Sequence, residues 1–133
     1  MNENVTVVKE FTFDAAHFLP GYDGPCANIH GHTYKLQIGV KGEVGHNGMV
    51  IDFNDFKKLV EEKFLSVLDH SLLNSITGMN GFSFPHFQPT AERMVLFFAN
   101  AMTSALLQKK SSVRVAFVRL WETPTSYAEW RNE

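Results

Sequence analysis

Apolar and polar positions alternate from Val5 to His17, with Phe11, Phe13, Ala15 and His17 on one face and Thr12, Asp14 and Ala16 on the other. Successive side chains of an extended chain point to opposite faces, so this period of two predicts a half-buried strand. Its inward row ends on a histidine. Leu19 to Pro25 is dense in proline, glycine and aspartate and predicts a loop. A second alternating run places His30, His32, Tyr34, Leu36, Ile38 and Val40 on one face. Antiparallel pairing of the two strands through the loop would bring His17 beside His30 and His32.

The pattern then changes period. Gly45-His46-Asn47-Gly48 carries the Asn-Gly pair of a tight turn, and Met49-Val50-Ile51 is expected to return as a strand. Asp52 or Asn54 is expected to cap a helix whose apolar residues Phe56, Leu59, Val60, Phe64, Val67 and Leu68 recur at helical spacing. Lys57, Lys58, Glu61 and Glu62 occupy its other face. Ser75 to Gln88 shows no regular period. Pro89-Thr90-Ala91-Glu92 opens a second helix capped by Thr90, with Met94, Phe98, Met102, Ala105 and Leu106 as its buried stripe. Val113 to Glu122 and Ser126 to Arg131 are the closing strands, joined by a turn at Thr123-Pro124-Thr125. The order is ββααββ: an α+β layer, an antiparallel sheet with two helices on one face, over a single domain spanning 1–133.

Composition narrows the function classes. A chain of 133 residues with 44% hydrophobic content supports one real core. No stretch reaches the roughly 18 apolar residues of a membrane span, and the first residues do not resemble a signal peptide. The single cysteine excludes an internal disulfide framework and fits a reducing, cytoplasmic setting. A formal charge of −2 gives no reason to expect a nucleic-acid or anionic-membrane partner. Twelve Phe, three Tyr and two Trp exceed what a small monomer easily hides, which favours subunit association.

The candidate chemistry centres on Cys26-Ala27-Asn28-Ile29-His30-Gly31-His32. Three histidines (His17, His30, His32) with an open fourth position are the pattern of catalytic rather than structural zinc. The bland reading makes them ordinary strand residues with hydrogen-bonded rings. Cys26 is a ligand, a nucleophile, a base or an inert thiol, and a nearby divalent cation would lower its pKa. Asp69-His70, at the end of the first helix, is either a carboxylate orienting an imidazole for proton transfer or a histidine set against the helix dipole. Glu122 ends an apolar strand, at a solvated end or as the anchor for a ligand with paired N–H donors, such as a 2-amino-pyrimidinone ring. His46, His86, Asn28 and the Lys57-Lys58 pair need no special role.

The chain resembles the 6-pyruvoyl-tetrahydropterin synthase / 6-carboxy-tetrahydropterin synthase family along nearly its full length. The resemblance is carried, in order, by FDAAH at 13–17, CANIHGH at 26–32, GMVIDF at 48–53, LDHSLLN at 68–74, PTAE at 89–92 and WET at 121–123. It implies Zn2+ on His17, His30 and His32, Cys26 as proton-abstracting base, Asp69 and His70 as a proton relay, and Glu122 binding the pterin and assisting the relay. Thr90 would line the pterin pocket. It also implies the tunnelling fold, in which subunits join their sheets into a barrel, as a trimer or a hexamer of two trimers, with active sites between subunits. The Cys-x3-His-Gly-His spacing looks like the queuosine-pathway 6-carboxy enzymes. These turn 7,8-dihydroneopterin triphosphate into 6-carboxy-5,6,7,8-tetrahydropterin, acetaldehyde and triphosphate. The 6-pyruvoyl reaction on the same substrate and a non-catalytic zinc- or pterin-binding role are the alternatives. Phe84-Pro85-His86-Phe87-Gln88 departs from the family's usual short lead-in to the second helix.

Overall fold

The computed structural model describes residues 3–79, 82–83 and 88–133. The main elements are β1 (Asn4–His17), β2 (His30–Glu43), α1 (Phe53–Val60), α2 (Ser66–Leu68), β3 (Ser71–Leu72), β4 (Thr77–Met79), β5 (Phe82–Ser83), α3 (Ala91–Gln108), β6 (Arg114–Thr123) and β7 (Ser126–Arg131). One sheet runs in the order β3-β1-β2-β6-β7. Its four long strands are antiparallel neighbours, as the alternation predicts, but β3 joins parallel to β1, so the sheet is mixed.

The inward faces of β1, β2 and β6 and the apolar faces of the helices form one core, in which Phe13 stacks on Tyr34 with ring centroids 4.9 Å apart. The opposite face of the sheet mixes charged and aromatic side chains, with Arg119 over the Phe117 ring and Lys35 over Trp121. There Gln37 donates to Glu10 at 2.7 Å, and Arg119 reaches both Gln37 and Glu129, a row spanning four strands. Most of the aromatic surface is spent inside: Phe56, Phe97, Phe98 and Tyr34 are fully buried. Aromatic content therefore argues less for association than composition alone suggested.

Three local expectations change. Met49-Val50-Ile51 is not a strand. The Gly45–Met49 turn closes on itself through Gly45 N–H to Met49 O, and both edges of β2 are already taken, by β1 and β6. The chain instead runs straight to Asp52, whose carboxylate caps α1 by accepting from Asn54 and Asp55. Second, Thr77–Met79 and Phe82–Ser83 pair as a small hairpin inside the stretch expected to be irregular. Third, Val67 is exposed while Leu68 is buried. In a straight α-helix Leu68 would sit roughly 120° around from Phe56 and Val67 nearly in line with it. A wider π-helical segment, Glu61–Leu65, absorbs that offset and keeps Phe56, Val60, Phe64 and Leu68 on the core. Residues 84–87, including His86, lie outside the described residues; Gln88 donates to Pro20 O.

Candidate functional site

Strand register assembles the histidines. His17 pairs directly with His30, and Ala15 with His32, so three imidazoles meet at one end of the β1–β2 ladder. Their ring centroids are 4.6, 4.9 and 5.1 Å apart, and one nitrogen from each lies within 4.8 Å of the others.

Backbone carbonyls set the tautomers. His17 Nδ1 faces Pro89 O at 2.8 Å and His30 Nδ1 faces Asn28 O at 2.8 Å. A carbonyl only accepts, so each Nδ1 carries the proton and each Nε2 a lone pair. Those two Nε2 atoms stand 3.0 Å apart, acceptor against acceptor. His32 Nε2 is buried and makes no hydrogen bond. The Glu122 carboxylate stands beside the cluster, Oε1 lying 3.2 Å from His17 Nε2 and 3.6 Å from His32 Nε2. The two lone pairs and the unpartnered His32 nitrogen converge closely enough to hold a cation. Zn–N bonds of about 2.0–2.1 Å in a tetrahedron put ligand atoms roughly 3.3 Å apart, close to these separations.

Burial reinforces the ligand form. Desolvation lowers the His32 pKa, opposed by Glu122 and assisted by His17 and His30. Burial also pushes the Tyr34 phenol, 3.3 Å from His17 Nδ1, well above its ordinary value. His17 itself is 2% exposed. The donor set, three imidazoles on adjacent strands, two of them with Nδ1 held by a backbone carbonyl, fits Zn2+ with an open position.

Asp69 and His70 do face each other: Oδ1 lies 3.1 Å from His70 Nδ1. Adjacent residues manage this because His70 takes a left-handed backbone, φ 61°, costly for a residue with a Cβ. The strain is held by β1, since Asp14 N–H donates to Asp69 Oδ1 at 2.8 Å and Asp14 O accepts from His70 N–H at 2.6 Å. The Asp14 amide beside Asp69 holds its carboxyl below the usual range, with His70 adding to the effect. His70 and His32 line one shallow cavity of about 570 Å³ together with Asp14, Gly31 and Thr33. Gly31 keeps that face of β2 open, as its lack of a side chain suggested.

Cys26 is half-buried in a single 3-10 turn, Pro25–Ala27, and its thiol does not join the three-histidine cluster. Thr90 caps α3 by accepting from Arg93 N–H. Sequence reasoning missed the backbone groups that orient the imidazoles, Pro89 O and Asn28 O, because carbonyls leave no side-chain signal; Asn28, expected to have no role, has one through its main chain. It also missed Asn74, an isolated amide between Leu73 and Ile76 that bonds both backbone groups of Phe18.

Residues 6–133 match the family described as 6-pyruvoyl tetrahydropterin synthase. A Haemophilus influenzae protein named 6-carboxy-5,6,7,8-tetrahydropterin synthase is 37% identical, over 94% of this chain and 97% of its own length. A Bacillus subtilis protein of the same name is 36% identical, over 92% of this chain and 82% of its own. The solved structure of Caenorhabditis elegans 6-pyruvoyl tetrahydropterin synthase superposes with a TM-score of 0.79 at 24% identity, covering 98% of this chain and 96% of that one, a likeness of fold. With the match running almost end to end, the chain belongs to the 6-pyruvoyl tetrahydropterin synthase family.

Proposed function

We propose that this chain is a zinc-dependent 6-carboxy-5,6,7,8-tetrahydropterin synthase, converting 7,8-dihydroneopterin triphosphate and water to 6-carboxy-tetrahydropterin, acetaldehyde and triphosphate. The observation that carries the reading is the convergence of one nitrogen each from His17, His30 and His32 within 4.8 Å, the buried His32 Nε2 having no hydrogen-bond partner among the described residues. Relatives of that name at 36–37% identity support the substrate class, and the Cys-x3-His-Gly-His spacing supports the 6-carboxy over the 6-pyruvoyl outcome.

In this reading the three histidines hold Zn2+, which supplies Lewis acidity to the hydroxyls of the substrate side chain. Cys26 Sγ, as thiolate, takes a proton from a side-chain carbon. Asp69 accepts from His70 Nδ1–H and so leaves Nε2 free to pass protons. Glu122 accepts paired N–H donors from the pterin ring and assists the relay, and Thr90 stands at the pocket's edge. Cys26 and the Asp69–His70 pair serve one site through assembly: the open edges at β3 and β7 join subunits into a barrel, a trimer or hexamer, with the site between them. Among the described residues no helix is long and apolar enough to cross a membrane, consistent with a cytoplasmic enzyme.

The test is incubation of zinc-loaded protein with 7,8-dihydroneopterin triphosphate and mass identification of the products. Acetaldehyde with 6-carboxy-tetrahydropterin is the expected result. A pyruvoyl product without acetaldehyde would assign the sister reaction, and full zinc loading with no substrate consumption would make the protein a binding member of the fold.

A further inference from the structure

Only two polar side chains are buried among the described residues, His17 and Asn74. The first belongs to the metal centre. The second is far in sequence from all three histidines, yet it stands beside His17 in space through its bonds to Phe18. The parallel ladder between β1 and β3 ends at Ala16 and Leu72, after which residues Leu73–Ser75 turn away as a 3-10 helix. The backbone of Phe18 would then be left on an open edge. Asn74 replaces the missing strand: its Oδ1 accepts from Phe18 N–H at 3.0 Å and its Nδ2 donates to Phe18 O at 3.0 Å. A side-chain amide sets a donor and an acceptor side by side in one plane, the spacing that a backbone N–H and C=O present.

What the clamp fixes is on both sides of Phe18. His17 precedes it, so its backbone is held by Asn74 beyond it and by the ladder before it, while Pro89 O holds its ring. Leu19 follows, and its N–H bonds Cys26 O at 2.8 Å, closing the loop that carries the thiol. That loop is therefore rooted on the clamped residue. At the other end of the same segment, Asp69 and His70 bond the backbone of Asp14. Residues 69–74 thus grip β1 from Asp14 to Phe18, with a side chain taking the place of the main chain at each end.

We propose that Asn74 is a positioning residue that sets the presentation of His17 to the metal and the placement of the Cys26 loop together. The inference rests on the metal reading for its first half only. Removing the amide leaves both Phe18 groups unpaired in a part-buried setting and frees His17 and the loop to shift.

The experiment compares Asn74→Ala and Asn74→Asp with Leu59→Ala, a core truncation that lowers stability without touching this edge, all at 25 °C and well below their melting temperatures. Zn2+ affinity is read by chelator competition, and the reactivity of the single thiol by its rate with a disulfide reagent. Asn74→Ala is expected to weaken zinc about tenfold, the low end for loss of an outer-shell support, and to speed thiol modification several-fold. Asn74→Asp, which keeps the acceptor for Phe18 N–H but cannot donate once ionised, should fall between or match it. Leu59→Ala should leave both readings at wild-type values. Asn74 variants indistinguishable from Leu59→Ala would overturn the proposal. Wild-type protein that binds no zinc would instead sink the metal reading, and the thiol rate would still decide the clamp.

Discussion

The metal centre should be a net burden on the protein when empty, which gives His32→Leu an unusual expected sign. His32 Nε2 is buried without a hydrogen bond and faces the lone pairs of His17 and His30 and the Glu122 carboxylate. An unsatisfied buried polar atom costs about 1–3 kcal/mol, and leucine fills a similar volume without it. Unfolding entropy of about 2.1 cal/mol/K per residue gives roughly 0.28 kcal/mol/K for a chain of this length, so each kcal/mol moves Tm by roughly 3–4 °C. Metal-free His32→Leu should therefore melt about 4–10 °C above metal-free wild type. Zinc at a hundred times its Kd adds about 2.7 kcal/mol to wild type, or roughly 10 °C, and should add nothing to the variant. Differential scanning calorimetry at pH 8 with chelator, then with added Zn2+, measures both. A chelated variant less stable than chelated wild type would refute the account of the orphan nitrogen, whatever zinc does.

Other outcomes follow from single contacts. Cys26→Ala should abolish turnover yet keep full zinc stoichiometry by elemental analysis; loss of zinc would make the thiol a ligand. Thr90→Ala should cost about 1 kcal/mol of stability through the lost cap, with Thr90→Ser near wild type in denaturant titrations; a large rise in KM in both would show contact with substrate beyond the cap. Gly39→Ala should destabilise the sheet, because its Cβ would lie 2.3 Å from Phe117 Cε1, and a co-substitution Phe117→Ala should recover most of the loss. Asp69, whose pKa is lowered in the folded state, contributes stability above its unfolded value near 3.8, lost as pH falls through the lower folded one. The side chain is 42% exposed, so the effect is small; Asp69→Asn should flatten the acid limb of the stability curve, and an unchanged limb would count against the Asp14 hydrogen bond.

Periodicity carried the long elements because each has one buried face. Period two in 5–17 and 30–40 and the apolar stripe of α3 follow from the core they cover, and the strand alternation already placed the three histidines in one row end. The helix caps were legible too, Thr90 outright and Asp52 as one of two candidates with Asn54, since a cap is a side-chain device local in sequence. What failed locally failed for tertiary reasons. Val50 and Ile51 have the composition of a strand, but both edges of the preceding strand β2 are taken, and the four-residue spacing from Phe56 to Leu68 needs a π-helical segment that no propensity announces.

The candidate residue types were legible in the sequence: three imidazoles, one thiol, one Asp-His pair and a strand-end glutamate can be chosen from spacing and type. Whether they act together was not. The Asp69–His70 contact depends on a left-handed backbone at His70 that β1 stabilises from 55 residues away. Glu122 turns towards the imidazoles because β2–β6 register sets it there. The tautomers of His17 and His30 depend on carbonyls of Pro89 and Asn28, main-chain groups that every sequence has and only a fold can aim. Side-chain chemistry is written in the chain, but the direction of a backbone dipole and the meeting of distant strands exist only once the register is made.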